Sequence, residues 1–294
     1  MSVSTGDFDY VRELLHRRTG IALEPDKAYL VDSRLLPVAR AHGMSDVSTL
    51  VQHLRGVPGG PVVDDSLDAL STNETSWLRD GEPFQVIVRD VLPQLMKLRN
   101  DTRSLTFWSA ACSTGQEPYS LAMMVEDLLV GSGWTYRVAA TDISGAALRR
   151  AEEGLYRQLE INRGLPASML VRHFTHEGTG WRVSDDLRRR ITFTRSNLVE
   201  DPPPVARADV VLMRNVLIYF DVPTRQRVLE RVRKVLAPGG VLLLGAAETT
   251  LGLSEGWLRT THGRTTINRL GEPPQTGVRN HSSVQVALTE IGQR

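Results

Sequence analysis

The run Leu105-Thr-Phe-Trp-Ser-Ala-Ala-Cys-Ser-Thr-Gly-Gln-Glu-Pro-Tyr119 changes its periodicity halfway along. Residues 105–110 form a short apolar stretch of strand length, and the small, glycine-containing loop 111–117 follows. Pro118 suits the first turn of a helix, which Tyr119, Leu121, Met124, Leu128 and Leu129 continue at helical spacing. The same alternation recurs downstream. Residues 136–140 predict a strand closed by Thr141-Asp142, and Ser144 caps a helix through Leu148 and Ala151. Residues 191–194 and 209–213 predict further strands. Pro223 opens a helix through Val228, Val232 and Val235, which stops at Pro238-Gly239-Gly240 before a buried strand at 241–244. Residues 265–270 predict a last edge strand. Alternating strands and helices imply an α/β fold with a doubly wound, mostly parallel sheet, whose ligands sit at the carboxyl ends of the strands.

Upstream the pattern is helical. Phe8, Val11, Leu14 and Leu15 recur at helical spacing, and Gly20 marks a stop. A second amphipathic stretch begins near Pro25 and Asp26 and should end or kink at Pro37, which lacks an amide donor. Ser45 or Asp46 caps a third. This gives a helical N-terminal domain at 1–57, a turn-rich linker at 58–71, the sheet domain at 72–271 and a loosely ordered tail at 272–294. Residues 160–190 break the alternation and predict a short helix and a small antiparallel β-hairpin inserted into the sheet domain.

Composition removes several classes of function. A formal charge of +1 leaves no electrostatic footprint for nucleic acid. No apolar run approaches the roughly 20 residues that membrane insertion requires. The start MSVSTGDFDY lacks the basic and apolar regions of a secretory signal, and the single Cys112 excludes an internal disulfide. A cytoplasmic location is the expectation.

The loop 111–117 is not a G-x-G-x-x-G phosphate cradle, and Glu117 repels a diphosphate while suiting an amine or sulfonium. Taken alone it also fits an ordinary strand-to-helix turn. Asp142 ends the second predicted strand, where such sheets place the acid that grips ribose hydroxyls; a helix cap is the plainer alternative. Ribose recognition without a phosphate loop points to S-adenosylmethionine rather than a nicotinamide dinucleotide, which disfavours an oxidoreductase.

These motifs, with Thr72-Asn-Glu-Thr75, Arg79-Asp80, Ser196-Asn-Leu198, Arg214-Asn-Val-Leu-Ile-Tyr-Phe220 and Leu236-Ala-Pro-Gly-Gly240, resemble the CheR family of chemotaxis receptor methyltransferases. They stand in order across 72–240. The resemblance implies a Rossmann-like class I methyltransferase sheet and methylation of receptor glutamates by S-adenosylmethionine, leaving S-adenosylhomocysteine. It implies that Asn73, Thr75 and Arg79 hold the cofactor, with Arg79 facing the methionine carboxylate or a neighbouring acid. Glu117 belongs at the methionine end and Asp142 at the ribose. Asn197 and Leu198 flank the adenine, as do Arg214 and Asn215 nearer the active centre. Tyr219 puts its ring beside the departing methyl group. The chemistry needs no general base and no metal.

Other groups read more plainly. Cys112 suits a small residue packed under the cofactor better than a nucleophile, and His173 and His176 lack a clear third metal ligand. Trp77-Leu78 departs from the family's usual two aromatics before the arginine, which predicts a reshaped pocket lip. In the family the inserted hairpin can dock an aromatic peptide from a receptor's C-terminus. Members that do so tend to have a longer glycine-rich loop than the Thr175-to-Gly180 segment here, so tether independence is expected. The N-terminal helices of the family face the receptor's cytoplasmic helical bundle. Lys27 and Arg34, with Arg40 nearby, fit either that contact or a solvated face. A catalytically silent receptor-binding adaptor on the same fold is the alternative function.

Overall fold

The computed structural model describes residues 3–271; the expected tail at 272–294 lies outside them. Four helices form the front of the chain: α1 (Thr5–Thr19), α2 (Ala28–Ala41), α3 (Val47–Gly56) and α4 (Pro61–Leu70). Their apolar stripes close on one core containing Leu15, Val31, Leu35, Leu50 and Leu54. Ser4 and Asp46 cap α1 and α3 through their side chains, and Gly20 ends α1 in the left-handed conformation.

Two expectations change here. The stretch read as linker contains α4, because Pro61 starts a helix whose Val63, Leu67 and Leu70 recur at helical spacing and join the same core. Pro37 does not end α2, which continues to Ala41. Leu35 and Ala39 on either side of it are fully buried, and that packing holds the helix against the missing amide donor.

After α5 (Glu82–Val86), one π turn and α6 (Leu92–Leu98), the chain enters the sheet. In order come β1 (Ser104–Ala110), α7 (Gln116–Leu129), β2 (Thr135–Asp142) and α8 (Gly145–Glu153). The insert comprises β3 (Leu155–Arg157), α9 (Gln158–Ile161), α10 (Ala167–His173), β4 (Phe174–Glu177), β5 (Gly180–Val183) and α11 (Asp185–Arg189). The chain then supplies β6 (Ile191–Arg195), β7 (Ala208–Met213), α12 (Val222–Val235), β8 (Leu236–Leu244), β9 (Trp257–His262) and β10 (Thr265–Leu270).

The seven-stranded sheet runs β6-β2-β1-β7-β8-β10-β9, with five parallel strands followed by an antiparallel β8-β10-β9 end. The order steps outward from β1 in both directions, which makes the carboxyl ends of β1, β2 and β7 the place for a ligand. This is the Rossmann-like class I methyltransferase arrangement with an all-helical front. The predicted last strand is not at the edge: β9, whose residues are mostly exposed and give no apolar run, covers it. Pro238-Gly239-Gly240 lies within β8, where a register shift against Ala208 and Val210 absorbs it.

The insert is a three-stranded antiparallel sheet, β3-β5-β4, rather than a hairpin alone. Its third strand starts at Leu155, ahead of the expected boundary. Trp77 fixes this sheet to the main core, with its ring edge-on to Tyr156 at 4.8 Å and to Phe174 at 5.4 Å.

Candidate active site

The loop between β1 and α7 takes three left-handed residues in five positions: Ala111 (φ 60°), Ser113 (φ 52°) and Gly115 (φ 92°). For non-glycine residues this conformation is uncommon and concentrates at ligand sites. Gly115 is required, since a Cβ there would lie 2.9 Å from both Ala151 Cβ and Tyr156 Oη. The loop is pinned on all sides. The Ser113 amide donates to Asp142 Oδ2 at 2.7 Å, the Ser113 hydroxyl donates to the Asn73 carbonyl at 2.8 Å, and the Tyr156 hydroxyl donates to the Thr114 carbonyl at 2.7 Å.

Beyond the loop opens a cavity. Thr19 and Ile21 from the helical front line it, as do all ten residues singled out above. Asn73, Thr75 and Arg79 come from the segment before α5; Glu117 starts α7; Asp142 ends β2; Asn197 and Leu198 follow β6; Arg214, Asn215 and Tyr219 follow β7.

Two carboxylates define the polarity of the site. Asp142 accepts from the Ser113 and Ser144 amides, and Glu117 accepts from the Ser109 hydroxyl at 2.8 Å and from Arg214 Nη1 at 3.2 Å. Burial pushes both above the ordinary carboxylate range; the two amides hold Asp142 back and Arg214 holds Glu117 back. Burial likewise raises the Cys112 thiol well above its ordinary value, with Asp142 and Glu117 adding to the rise, so it remains an uncharged core group.

Arg214 is almost wholly enclosed, and its Nη2 meets both Asp80 Oδ2 at 2.5 Å and the Arg79 carbonyl at 2.9 Å. Its guanidinium lies 5.5 Å from the Phe84 ring centroid. The acids near Arg79 are thus engaged by Arg214. Among the described residues the Arg79 guanidinium itself reaches only the Glu74 carbonyl, at 3.3 Å. The contact with Glu117 places Arg214 beside the residue expected at the methionine end. Asn197 is already tied: its amide donates to the Arg18 carbonyl of α1 at 2.8 Å and its oxygen accepts from Val199. Trp77 and Leu78 do not reach the cavity, because Trp77 is core and the Leu78 amide donates to Ser120 Oγ; the lip is not theirs to reshape.

Glu248, which carries no motif, organises the far wall. Its carboxylate accepts from the amides of Asn215, Val216 and Gly245 at 2.7–2.8 Å and from Ile218 at 3.2 Å. It thereby holds Asn215 at φ 58° and sets the turn carrying Tyr219. The helical front braces this turn from outside: the Ala22 amide donates to the Tyr219 carbonyl at 2.8 Å, and His16 pairs with Asp221 at 3.0 Å. A buried-strand end followed by Gly245-Ala-Ala-Glu248 is the sequence signal that was available. His173 stands 3.3 Å from Asp127, and His176 packs edge-on against Trp181.

The site's free groups are mostly acceptors. Asp142 and Glu117 face the cavity, and the buried Asn215 Oδ1 has no partner among the described residues. An orphaned buried acceptor calls for a donor, and this set fits a ligand bringing hydroxyls, an amine and positive charge. Fold and site together define a methyltransferase of the Rossmann-like, S-adenosylmethionine-binding class.

The comparisons make this specific. Residues 73–267 match the family described as CheR methyltransferase, SAM binding domain, and residues 6–70 match the CheR methyltransferase all-alpha domain. The chain belongs to the CheR methyltransferase family. It is 38% identical over 264 residues to the chemotaxis protein methyltransferase Cher2 of Pseudomonas putida, covering 87% of this chain and 94% of that one. It is 39% identical over 260 residues to chemotaxis protein methyltransferase 1 of Pseudomonas aeruginosa, with the same coverage. Identity to chemotaxis protein methyltransferase 1 of Vibrio cholerae is 36% over 262 residues, 87% of this chain and 93% of the other.

Proposed function

We propose that this enzyme esterifies glutamate side chains on the cytoplasmic helical bundle of chemoreceptors, adjusting the output of a chemosensory pathway. The observation that carries the reading is the convergence of Glu117, Asp142 and the unpartnered Asn215 Oδ1 on a cavity whose wall includes Tyr219. When bound, S-adenosylmethionine supplies an electrophilic methyl group on a positively charged sulfur and is released as S-adenosylhomocysteine.

The protein's part is binding, orientation and exclusion of water. A glutamate carboxylate with an ordinary pKa near about 4.3 is already ionised at pH 7, so no side chain has to remove a proton. Holding two reactants in line can account for several kcal/mol of barrier reduction, of the order of 7–11 at best. In this reading Asp142 takes the ribose hydroxyls, Leu198 and Asn197 border the adenine, and Asn73 and Thr75 close over the cofactor from the preceding loop. Glu117, held by Arg214, faces the amine or sulfonium, with Asn215 beside it. Arg79, which has no carboxylate partner among the described residues, remains available to the methionine carboxylate. Tyr219 offers its ring face to positive charge at the reacting centre.

Of the three basic residues noted on the helical front, two are already engaged. Lys27 pairs with Asp26 at 2.9 Å, and Arg34 donates to the Leu70 carbonyl at the end of α4, which leaves Arg40 exposed on that side. Only Gly178 and Thr179 join β4 to β5, which supports independence from a receptor tether peptide. Among the described residues no helix is long and apolar enough to cross a membrane. A cytoplasmic setting accords with a substrate on the receptors' cytoplasmic bundle.

The test is incubation with tritiated S-adenosylmethionine and receptor-bearing membranes. Label released from the receptor as methanol by mild alkali supports esterification; receptor binding without transfer indicates the silent adaptor.

A further inference from the structure

The Tyr219 wall of the cofactor cavity takes its shape from a carboxylate that stands outside the cavity. Asn215, Val216, Tyr219 and Phe220 line that wall, and Glu248 lies behind them. Glu248 Oε2 accepts from the Asn215 amide at 2.8 Å and the Gly245 amide at 2.7 Å; its Oε1 accepts from Val216 at 2.8 Å and Ile218 at 3.2 Å. Tyr219 is one bond further on, because its own amide donates to the Val216 carbonyl at 3.1 Å. Asn215 sits at φ 58°, a conformation that a non-glycine residue keeps only where its surroundings impose it. The approach from β8 is equally close. A Cβ on Gly245 would lie 2.8 Å from both the Asn215 nitrogen and Glu248 Oε2, and 3.0 Å from Asn215 Nδ2. The turns that follow β7 and β8 therefore close on one charged acceptor, and hydrogen bonds to an ionised group are the stronger class.

We propose that Glu248 is a positioning residue for methyl transfer, acting through the Asn215–Tyr219 turn to hold the Tyr219 ring at the reacting centre. The inference rests on the methylation reading and adds to it a residue placed behind the cavity wall. Asp142 and Glu117, the acceptors that face the cavity, take their hydrogen bonds from Ser113, Ser144, Ser109 and Arg214. Cofactor binding through them outlasts the loss of Glu248, whereas alignment does not: a misplacement of about 1 Å at the reacting groups can lower a rate about 100-fold. Glu248 is half-buried and lines a groove on the outer side of the wall. Water entering there can take over the freed amides, so the fold survives the substitution while the turn is released.

The test uses the full chain, saturating tritiated S-adenosylmethionine and receptor-bearing membranes, comparing wild type with Glu248→Gln, Glu248→Ala and Gly245→Ala. The glutamine keeps one acceptor oxygen and turns an NH2 group toward amide donors. Gly245→Ala reaches the same turn by another route, leaving the carboxylate intact and forcing the two turns apart. The expected result is a kcat about 10–100-fold lower in the variants. Calorimetric affinity for S-adenosylhomocysteine stays within about threefold of wild type, the split expected when alignment rather than binding is lost. Urea denaturation follows folding stability separately. A kcat within about twofold of wild type in the Glu248 variants or in Gly245→Ala overturns the assignment, whatever their stability. A fall in S-adenosylhomocysteine affinity as large as the fall in kcat also overturns it, since Glu248 then supports the cofactor site as a whole. Wild-type protein that binds S-adenosylhomocysteine without transferring label removes the methylation reading, and this inference with it.

Discussion

Arg214 and Glu117 form a buried ion pair at the wall of the cofactor cavity, with Nη1 3.2 Å from Oε2 and the arginine side chain 1% exposed. The same guanidinium holds Asp80, so one cation compensates two carboxylates from separate segments. Arg214→Ala leaves Glu117 without its cation in a poorly solvated interior and removes the partner of the more exposed Asp80. The expected cost is about 3–5 kcal/mol of folding stability, the usual result of removing one partner from a buried pair. Urea denaturation measures it, and Arg214→Lys should lose less, since it keeps the charge while giving up the fork.

Asp142 and Glu117 both sit above ordinary carboxylate values, chiefly through burial. Raised carboxyl pKa values favour the protonated fold in acid, and that advantage disappears as pH rises through them. Cofactor binding has the opposite dependence, because the ligand needs the ionised acceptors. Affinity for S-adenosylhomocysteine should therefore fall as pH drops into the range just above ordinary carboxylates. Asp142→Asn should weaken binding at pH 7 by about tenfold or more, as loss of charge-assisted hydrogen bonds implies, and flatten the pH profile. Calorimetry across pH checks both.

Tyr219→Phe keeps the ring and removes the hydroxyl. Affinity for S-adenosylhomocysteine should stay within about twofold of wild type, and some methyl transfer should survive, since a ring face toward positive charge contributes about 0.5–2 kcal/mol without the hydroxyl. Loss of cofactor binding in this variant means that the hydroxyl, rather than the ring, holds the ligand.

Most of the sheet domain was readable from periodicity because β1, β2, β7 and β8 each carry a largely buried, mostly apolar stretch. Strand β9 was not, since a mostly exposed strand has no such run. Helix α4 was hidden behind Gly59 and Gly60, whose turn signal outweighed the spacing of Val63, Leu67 and Leu70. The residues around the cavity were recognisable as motifs, but their partners were not. Spacing cannot reveal that Arg214, rather than Arg79, engages the nearby acids, or that Glu248 gathers four amides from two loops.

Asp221 caps α12 by accepting from the Thr224 amide at 2.9 Å, which with the Thr224 side chain and His16 lowers its pKa to about 2 from an ordinary 3.8. The depressed value means that the stabilisation is present above about pH 3.8 and is lost as pH falls toward 2. Asp221→Ala should cost about 1 kcal/mol near neutrality, the usual value of an N-cap. Parallel denaturation of wild type and variant at neutral and strongly acidic pH should show the difference closing.

The most direct examination of the account is a crystal structure of the protein grown with S-adenosylhomocysteine. The account predicts the adenosyl group in the cavity between the β1–α7 loop and the Tyr219 turn, with the ribose hydroxyls on Asp142 and the amino-acid end near Glu117. A ligand bound elsewhere, or an Asp142 carboxylate turned away from the ribose, contradicts it.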